Sequence, residues 1–355
     1  MKNLDDPEVY RKFDPSNMLR RIGELPQQCL KAWHSATGFP LPSDYSNVDK
    51  VVILGLGGSA IGGDLVSTLA LEEGKIPILV HRDYDLPPLV DARTLVIASS
   101  YSGNTEETIS SFNKALETPA KKVVVTTGGR LEALAAASGV PAFIFHYQAE
   151  PRTAFGYSFF SLLAIFHRLG LISIDREDID ETIRVLEELS PRLDKGVSLK
   201  INPAKQLANR LLGRLVIVYG AGILSKVAYR WKTQLNESSK TSAFHECFPE
   251  LNHNAVVGYR LPSWLRQKAF VVLLCSPSLH PRILMRYKVT AEILVDAMIP
   301  HEVVDAPGES PLSQIMSAVF FGDYVSYYLA MLNEVDPSPV AIIDYLKARL
   351  AEVDM

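Results

Sequence analysis

Cysteine is scarce in this chain, and what there is lies far apart. The 355 residues include three, Cys29, Cys247 and Cys275. An odd count without C-x-x-C spacing argues against a disulfide framework or a structural zinc site and fits a reducing cytoplasm. Excess charge is missing too. Lys and Arg number 36 against 40 Asp and Glu, a net charge of −4, so long-range attraction selects neither nucleic acid nor a membrane surface as partner. Long apolar runs are absent: the longest are strand-length, and none of about 20 residues reads as a bilayer span. The beginning, MKNLDDPEVYRKFDPSNM, is charged and has no apolar core of a secretory signal. What remains is an ordinary globular composition, 47% hydrophobic, in a length suited to two domains or one large α/β unit.

The chain is organised around Thr94–Thr108, TLVIASSYSGNTEET. Leu95-Val96-Ile97-Ala98 is a continuous apolar run, the pattern of a buried strand. It breaks into Ser99, Ser100, Tyr101, Ser102, Gly103, Asn104 and Thr105, and a helical pattern follows. Such a strand–loop–helix unit directs free backbone N–H groups and a positive dipole end into the loop. Phosphate binds there without a metal. The simpler alternative is a capped helix start, with Asn104 and Glu107 at capping-box spacing; Glu106 and Glu107 are then expected to point away from any anion.

A second unit lies upstream. Lys50–Leu56 reads as a strand, Gly57-Gly58-Ser59-Ala60-Ile61-Gly62-Gly63-Asp64 as its loop, and Leu65–Leu71 as a helix. The stretch Gly55–Ala60 approaches G-x-G-x-x-G, and Asp83 follows the next strand (76–80), so a dinucleotide site stays open as a minor alternative. The repeated serines favour a monophosphate. Further strands are read at 122–127 and 141–146, with a helix at 131–137 between them. Alternating strands and helices with short connections imply a doubly wound parallel sheet, whose ligands sit outside the carboxyl ends of the strands. Both loops follow strands and therefore share that edge. Arg152, after the last of these strands, shares it too.

Residues 1–45 read as a helical segment, with a helix over 18–33 that Pro26 kinks or restarts. Residues 46–195 make the first α/β half and 196–355 the second, with Ser190-Pro191 and Asn202-Pro203 as breakers. The second half repeats the pattern: a strand at 214–219, a helix at 224–235, strands at 269–275 and 302–304, and helices at 282–297, 311–331 and 338–350.

Five segments occur in a telling order: GLGGSAIGGD at 55–64, SSYSGNTEET at 99–108, EPRTAFGYSF at 150–159, LNESSKTSAF at 235–244 and ELNHNAVVGY at 250–259. Together they resemble the bifunctional phosphoglucose/phosphomannose isomerases, members of the sugar-isomerase domain superfamily. The likeness runs from the DPSNM turn to the closing DYLKARL. It implies an α/β fold of two doubly wound sugar-isomerase subdomains with extra N- and C-terminal helices. It implies a phosphate cradle of Ser59, Ser100, Ser102 and Thr105. By position, Glu237 resembles the family's base, His253 its ring-opening histidine, Arg152 the stabiliser of an enediolate, and Lys347 a further active-site lysine. Two subunits complete each site in this family, so a homodimer is implied, with His253 entering from the neighbour.

Those residue types suit the chemistry. Moving a carbonyl between C1 and C2 of a hexose 6-phosphate requires ring opening and then transfer of one proton from C2 to C1. A carboxylate partly shielded from water gains basicity. An arginine keeps its charge beside a negative enediolate, and imidazole gives and takes a proton near neutral pH. Neutral hydroxyls hold the phosphate end and so orient the reacting end. No cofactor is needed. His245-Glu246-Cys247 with His253 fits no common zinc spacing. Ser338 is a hydroxyl that could seat a water near C2. A non-catalytic sugar-phosphate sensor of the same fold is the competing reading, although the N-terminal segment shows no basic helix–turn–helix pattern. An amino-sugar enzyme would need a glutaminase or amide-handling site, and no N-terminal nucleophilic cysteine is present.

Overall fold

The computed structural model describes residues 3–73 and 75–352. The N-terminal segment folds as α1 (Pro7–Phe13), α2 (Met18–Gly23) and α3 (Leu25–Thr37). The stretch over 18–33 is thus two helices. Pro26 sits in the first turn of the second, where its missing N–H leaves no bond unmade. Asp14 caps α2 from outside: its carboxylate accepts from the N–H groups of Met18 at 2.7 Å and Leu19 at 3.2 Å, and from the Tyr327 hydroxyl at 2.9 Å.

The first half contains β1 (Lys50–Leu54), α4 (Gly57–Glu73), β2 (Ile78–His81), β3 (Thr94–Ser100), α5 (Glu106–Leu116), β4 (Lys121–Thr126), α6 (Gly129–Ala137) and β5 (Ala142–Ile144). Its strands form one parallel sheet in the order β2-β1-β3-β4-β5. After it come α7 (Phe155–Arg168), α8 (Arg176–Leu193) and α9 (Pro203–Leu211). The second half contains β6 (Leu215–Gly220), α10 (Ser225–Glu237), β7 (Ala243–Cys247), α11 (Leu265–Lys268), β8 (Ala269–Cys275), α12 (Pro281–Asp296), β9 (His301–Asp305), α13 (Pro311–Asn333) and α14 (Ala341–Leu350). Its parallel sheet runs β7-β6-β8-β9. The expected α/β fold with two parallel sheets is what the chain adopts.

Alternation along the strands explains the layers. Val51 and Ile53 of β1, Leu95 and Ile97 of β3, and Val123 and Val125 of β4 join one core with α4 and α7. Val52, Leu54, Val96, Ala98 and Val124 face the other way, onto Phe112 and Ala115 of α5 and Leu131 and Ala135 of α6. In the second sheet Val216, Val218, Phe270 and Val272 face the same central core, with α10 and α13. Val271 and Leu273 face α12 instead. One apolar core therefore continues between the sheets. The 23-residue α13 lies in it and, contrary to the expectation from the sequence, is long and apolar enough to cross a bilayer. Yet 94% of its most apolar window is buried within the protein.

Several boundaries differ from the sequence reading. β3 continues through Ser99 and Ser100, because both are buried and paired with β4. The glycine run at 57–63 is not a loop but the first turns of α4. The Asn104–Glu107 capping box does not form. Thr105 is the residue before the first turn of α5, and the Asn104 side chain instead accepts from Arg130 N–H at 3.1 Å. Pro191 does not break the chain but lies inside α8. Edge strand β7 escaped notice because its AFHEC sequence is short and carries two adjacent polar residues, His245 and Glu246, in place of a continuous apolar run.

Two glycines shape the ligand edge. A Cβ on Gly55 would lie 2.8 Å from the Ser99 carbonyl, so only glycine lets the ends of β1 and β3 draw together. Gly103 has φ +63°, and a Cβ there would lie 1.7 Å from the Gly128 carbonyl. Replacing Gly103 by Ala is expected to destabilise the protein by about 2–4 kcal/mol and to remove any rise of the unfolding midpoint on adding inorganic phosphate. Wild-type midpoints, with and without phosphate, would show that this turn tolerates a side chain.

Candidate active site

The four hydroxyl residues expected to cradle phosphate meet at the carboxyl edge of the first sheet. The Ser59 hydroxyl, in the first turn of α4, accepts from the Tyr101 N–H at 3.1 Å. The Ser100 and Thr105 hydroxyls are 2.9 Å apart, and Ser100 also accepts from Gly103 N–H at 3.2 Å. Ser102 accepts from Asn104 N–H at 3.2 Å and is exposed. Ser59 and Ser100 are buried. The loop is locked to its neighbour: Thr127 donates to the Tyr101 carbonyl through its N–H at 3.1 Å and its hydroxyl at 2.6 Å. Both helices that begin here, α4 and α5, bring free N–H groups to this edge. The carboxylates of Glu106 and Glu107 lie near Tyr84, whose hydroxyl proton is held more tightly, through burial first and then these charges.

Arg152 stands beside the same edge, in a short 3-10 turn over Pro151–Thr153. A Cβ on Gly58 would lie 3.4 Å from the Pro151 carbonyl and 3.9 Å from Arg152 Cα, so this turn rests on the residue next to Ser59. Sequence alone left an exposed arginine open here; the side chain is buried, with 4% exposure. Its Nη2 donates to the carbonyls of Pro337 and Ser338, the latter at 2.6 Å. Its Nη1 lies 3.7 Å from Glu237 Oε2. Burial draws its proton affinity below the usual arginine value, and Glu237 and then Glu150 oppose that pull. A guanidinium nevertheless stays charged at any physiological pH.

Glu237 is the last residue of α10, and its side chain is 32% exposed. The chain turns directly after it. Lys240, with φ +55°, donates to the Glu237 carbonyl and to the Pro339 carbonyl, the second at 2.7 Å. Burial, then the neighbouring Arg152, lowers the Lys240 proton affinity. Ser338 is held in the same corner. Its N–H donates to Asp336 at 2.8 Å, its hydroxyl accepts from Arg21 at 3.3 Å, and Arg21 also pairs with Glu150 at 2.9 Å. A carboxylate with one exposed face, a fixed guanidinium and a hydroxyl-lined anion loop can hold an anionic substrate, move a proton and steady a negative intermediate.

Neither His253 nor Lys347 makes a hydrogen bond or ion pair with Arg152 or Glu237 among the described residues. His253 closes a 3-10 turn over Glu250–His253 and is exposed. That turn follows the carboxyl end of β7, whereas Glu237 precedes the amino end of β7. Lys347 is exposed on α14, none of whose residues is buried. His245 packs against Tyr229, with ring centroids 5.0 Å apart. Among the described residues no group of three His, Cys, Asp or Glu converges as a metal site would require. A cavity of about 790 Å³ lined by Asp5, Tyr10, Asp14 and Tyr327 shares no lining residue with this corner.

Sequence reasoning missed three charged residues here. Lys240 stood inside the LNESSK segment and carried its own signal. Asp323 is the only Asp, Glu, Lys, Arg or His in α13, an isolated charge in an apolar helix. Arg230 sits two turns before Glu237 on α10 and gave no distinguishing sign.

The chain matches the C-terminal SIS domain of bacterial phospho-glucose isomerase over residues 200–350. It is 41% identical to a bifunctional phosphoglucose/phosphomannose isomerase of Caldicellulosiruptor bescii, covering 95% of this chain and 99% of that one. Against the protein of the same description from Aquifex aeolicus it is 34% identical, covering 87% and 93%. A hypothetical protein of Thermus thermophilus shares the fold with a TM-score of 0.72 at 19% identity, over 98% of this chain and 93% of that one. Near-complete coverage at that identity, on a chain whose serine loops and Arg152–Glu237 pair meet at one edge, establishes that it belongs to the bifunctional phosphoglucose/phosphomannose isomerase family.

Proposed function

We propose that this protein interconverts glucose 6-phosphate or mannose 6-phosphate with fructose 6-phosphate, without a cofactor, through an enediolate. The observation that carries this reading is the Arg152–Glu237 contact of 3.7 Å beside the serine loops. Ser59, Ser100, Ser102 and Thr105 hold the phosphate. Glu237 removes the C2 proton as base, the electron pair moves into the C1–C2 bond, and O1 becomes negative. Arg152 Nη1 faces that charge. A proton passes from the C2 hydroxyl to O1, and as the C2 carbonyl forms Glu237 returns its own proton to C1. C2 is planar in the enediolate, so glucose and mannose 6-phosphates reach the same intermediate. The division at 195–196, after an N-terminal segment of 45 residues, belongs to the same reading; the two separate sheets support it.

Ring opening needs a group that moves a proton between O5 and O1, and His253 is that group. In one chain it and Glu237 lie toward opposite ends of β7, a strand spanning about 13 Å. A homodimer in which each site takes His253 from the neighbouring chain resolves this. Exposed apolar residues support it: Val257, Leu261 and Trp264 follow His253, and Ile342, Tyr345 and Leu346 lie on α14 with Lys347. Lys347 acts in the site as part of this two-chain arrangement. The reaction belongs to the cytoplasm, where three unpaired thiols stay reduced.

A coupled assay with each hexose 6-phosphate tests the activity. Turnover of both, unchanged by EDTA, is expected, with Glu237→Gln lowering kcat by at least about 10³-fold while inorganic phosphate still competes. Binding without turnover would favour a sugar-phosphate sensor, and turnover retained in Glu237→Gln would remove that carboxylate from the base role. Sharing of sites is tested by mixing. Glu237→Gln and His253→Ala proteins, each inactive, should regain up to about a quarter of wild-type activity on subunit exchange, because each hybrid dimer has one intact site. No recovery despite demonstrated exchange would mean that each chain builds its own site.

A further inference from the structure

Arg230, Gln234 and Glu237 lie at i, i+4 and i+7 on α10, and so on one face of that helix. The first two grip Asp323 of α13. Arg230 Nη2 donates to Oδ1 at 3.1 Å and Oδ2 at 2.8 Å, and Gln234 Nε2 donates to Oδ1 at 2.8 Å. Arg230 also donates to the Arg152 backbone carbonyl at 3.3 Å and lies over the Phe155 ring, 3.8 Å from its centroid. All three side chains are buried. One ion pair thus fastens the helix that ends in Glu237 and the turn that carries Arg152.

Stability is a weak reason for such a pair. Replacing a buried ion pair by apolar groups is often neutral or favourable. Its placement suggests another role. The charged groups around the Arg152–Glu237 pair are Arg230 and Asp323 beneath it, Lys240 after α10, Glu150 from the 150–153 turn, Arg21 of α2, and Asp336. Arg230 is about 10 Å along the helix from Glu237. Uncompensated, its charge would favour the ionised carboxylate and weaken it as a base.

We propose that Asp323 is a positioning residue for isomerisation: it neutralises Arg230 and holds α10 so that Glu237 meets the Arg152 guanidinium. This rests on Glu237 being the base. Burial raises the proton affinity of Asp323 while Arg230, more than any other group, opposes the rise.

Steady-state kinetics with glucose 6-phosphate across pH test this on Asp323→Asn and the neutral pair Arg230→Met/Asp323→Leu. Asp323→Asn should lower kcat about 10-fold, leave KM within about twofold, and move the acid limb of kcat/KM down by about half a pH unit. The double variant should return the limb to its wild-type position while kcat stays at least about threefold low, because the Arg152 carbonyl has lost its donor. A wild-type limb in Asp323→Asn, or wild-type kcat in the double variant, overturns the proposal. Should Asp323→Asn fail to fold, the double variant's kcat decides alone. Glu237→Gln is run alongside: turnover retained there overturns the base assignment, whereas turnover lost there with normal Asp323→Asn kinetics overturns this inference only.

Discussion

The approach of Arg152 to Glu237 is the contact on which the rest of the molecule depends. The arginine comes from the turn after the first sheet, and the glutamate from the end of a helix in the second half. Nothing local brings them together. They meet because both sheets pour their inner faces into one core, with α4, α7, α10 and α13 packed between. That core places the start of α4, the 150–153 turn and the end of α10 at a common corner. A buried guanidinium beside a half-open carboxylate is then supported on every side: by two carbonyls at 337 and 338, by the Lys240 clasp, and by the Arg230–Asp323 pair beneath.

Much of the fold was legible because parallel strands buried on both faces are continuous apolar runs. VVIL, TLVIA and AFVVLLC stand out without help. What misled was chemistry at the edges. Serine and glycine read as loop, yet Ser99 and Ser100 pair with β4, and Gly57 and Gly58 are already helix. The first is a tertiary pairing no local window contains. The second is a matter of packing: α4 lies so close to the 151–159 backbone that a Cβ at Gly58 would sit 3.4 Å from the Pro151 carbonyl and one at Gly62 3.3 Å from the Ser158 carbonyl, so glycine there serves close approach inside a helix. β7 was invisible because an edge strand with one wet face need not be apolar.

The site was legible unevenly. The serine loops announced themselves by pattern. Glu237 and Arg152 were named through resemblance, and their proximity could not be read from spacing, since 85 positions separate them in the chain. Asp323 was in principle readable as the one charge in an apolar helix, and Lys240 as the lysine beside a named glutamate. His253 and Lys347 stand exposed, without a hydrogen bond or ion pair to Arg152 or Glu237 among the described residues, and the proposed role of His253 calls on a second chain. A single sequence carries no mark of which surfaces meet a copy of itself.

The central claim is that Glu237 carries a proton between C2 and C1. The most direct measurement is isomerisation of glucose 6-phosphate in D2O, with the product read by NMR over repeated equilibration. Transfer by a carboxylate with one face open to water predicts solvent deuterium at C1 of fructose 6-phosphate, accumulating with successive turnovers. Complete retention of the original hydrogen, with no deuterium gained after many equilibrations, would mean that hydrogen passes directly between the carbons, and would contradict this account.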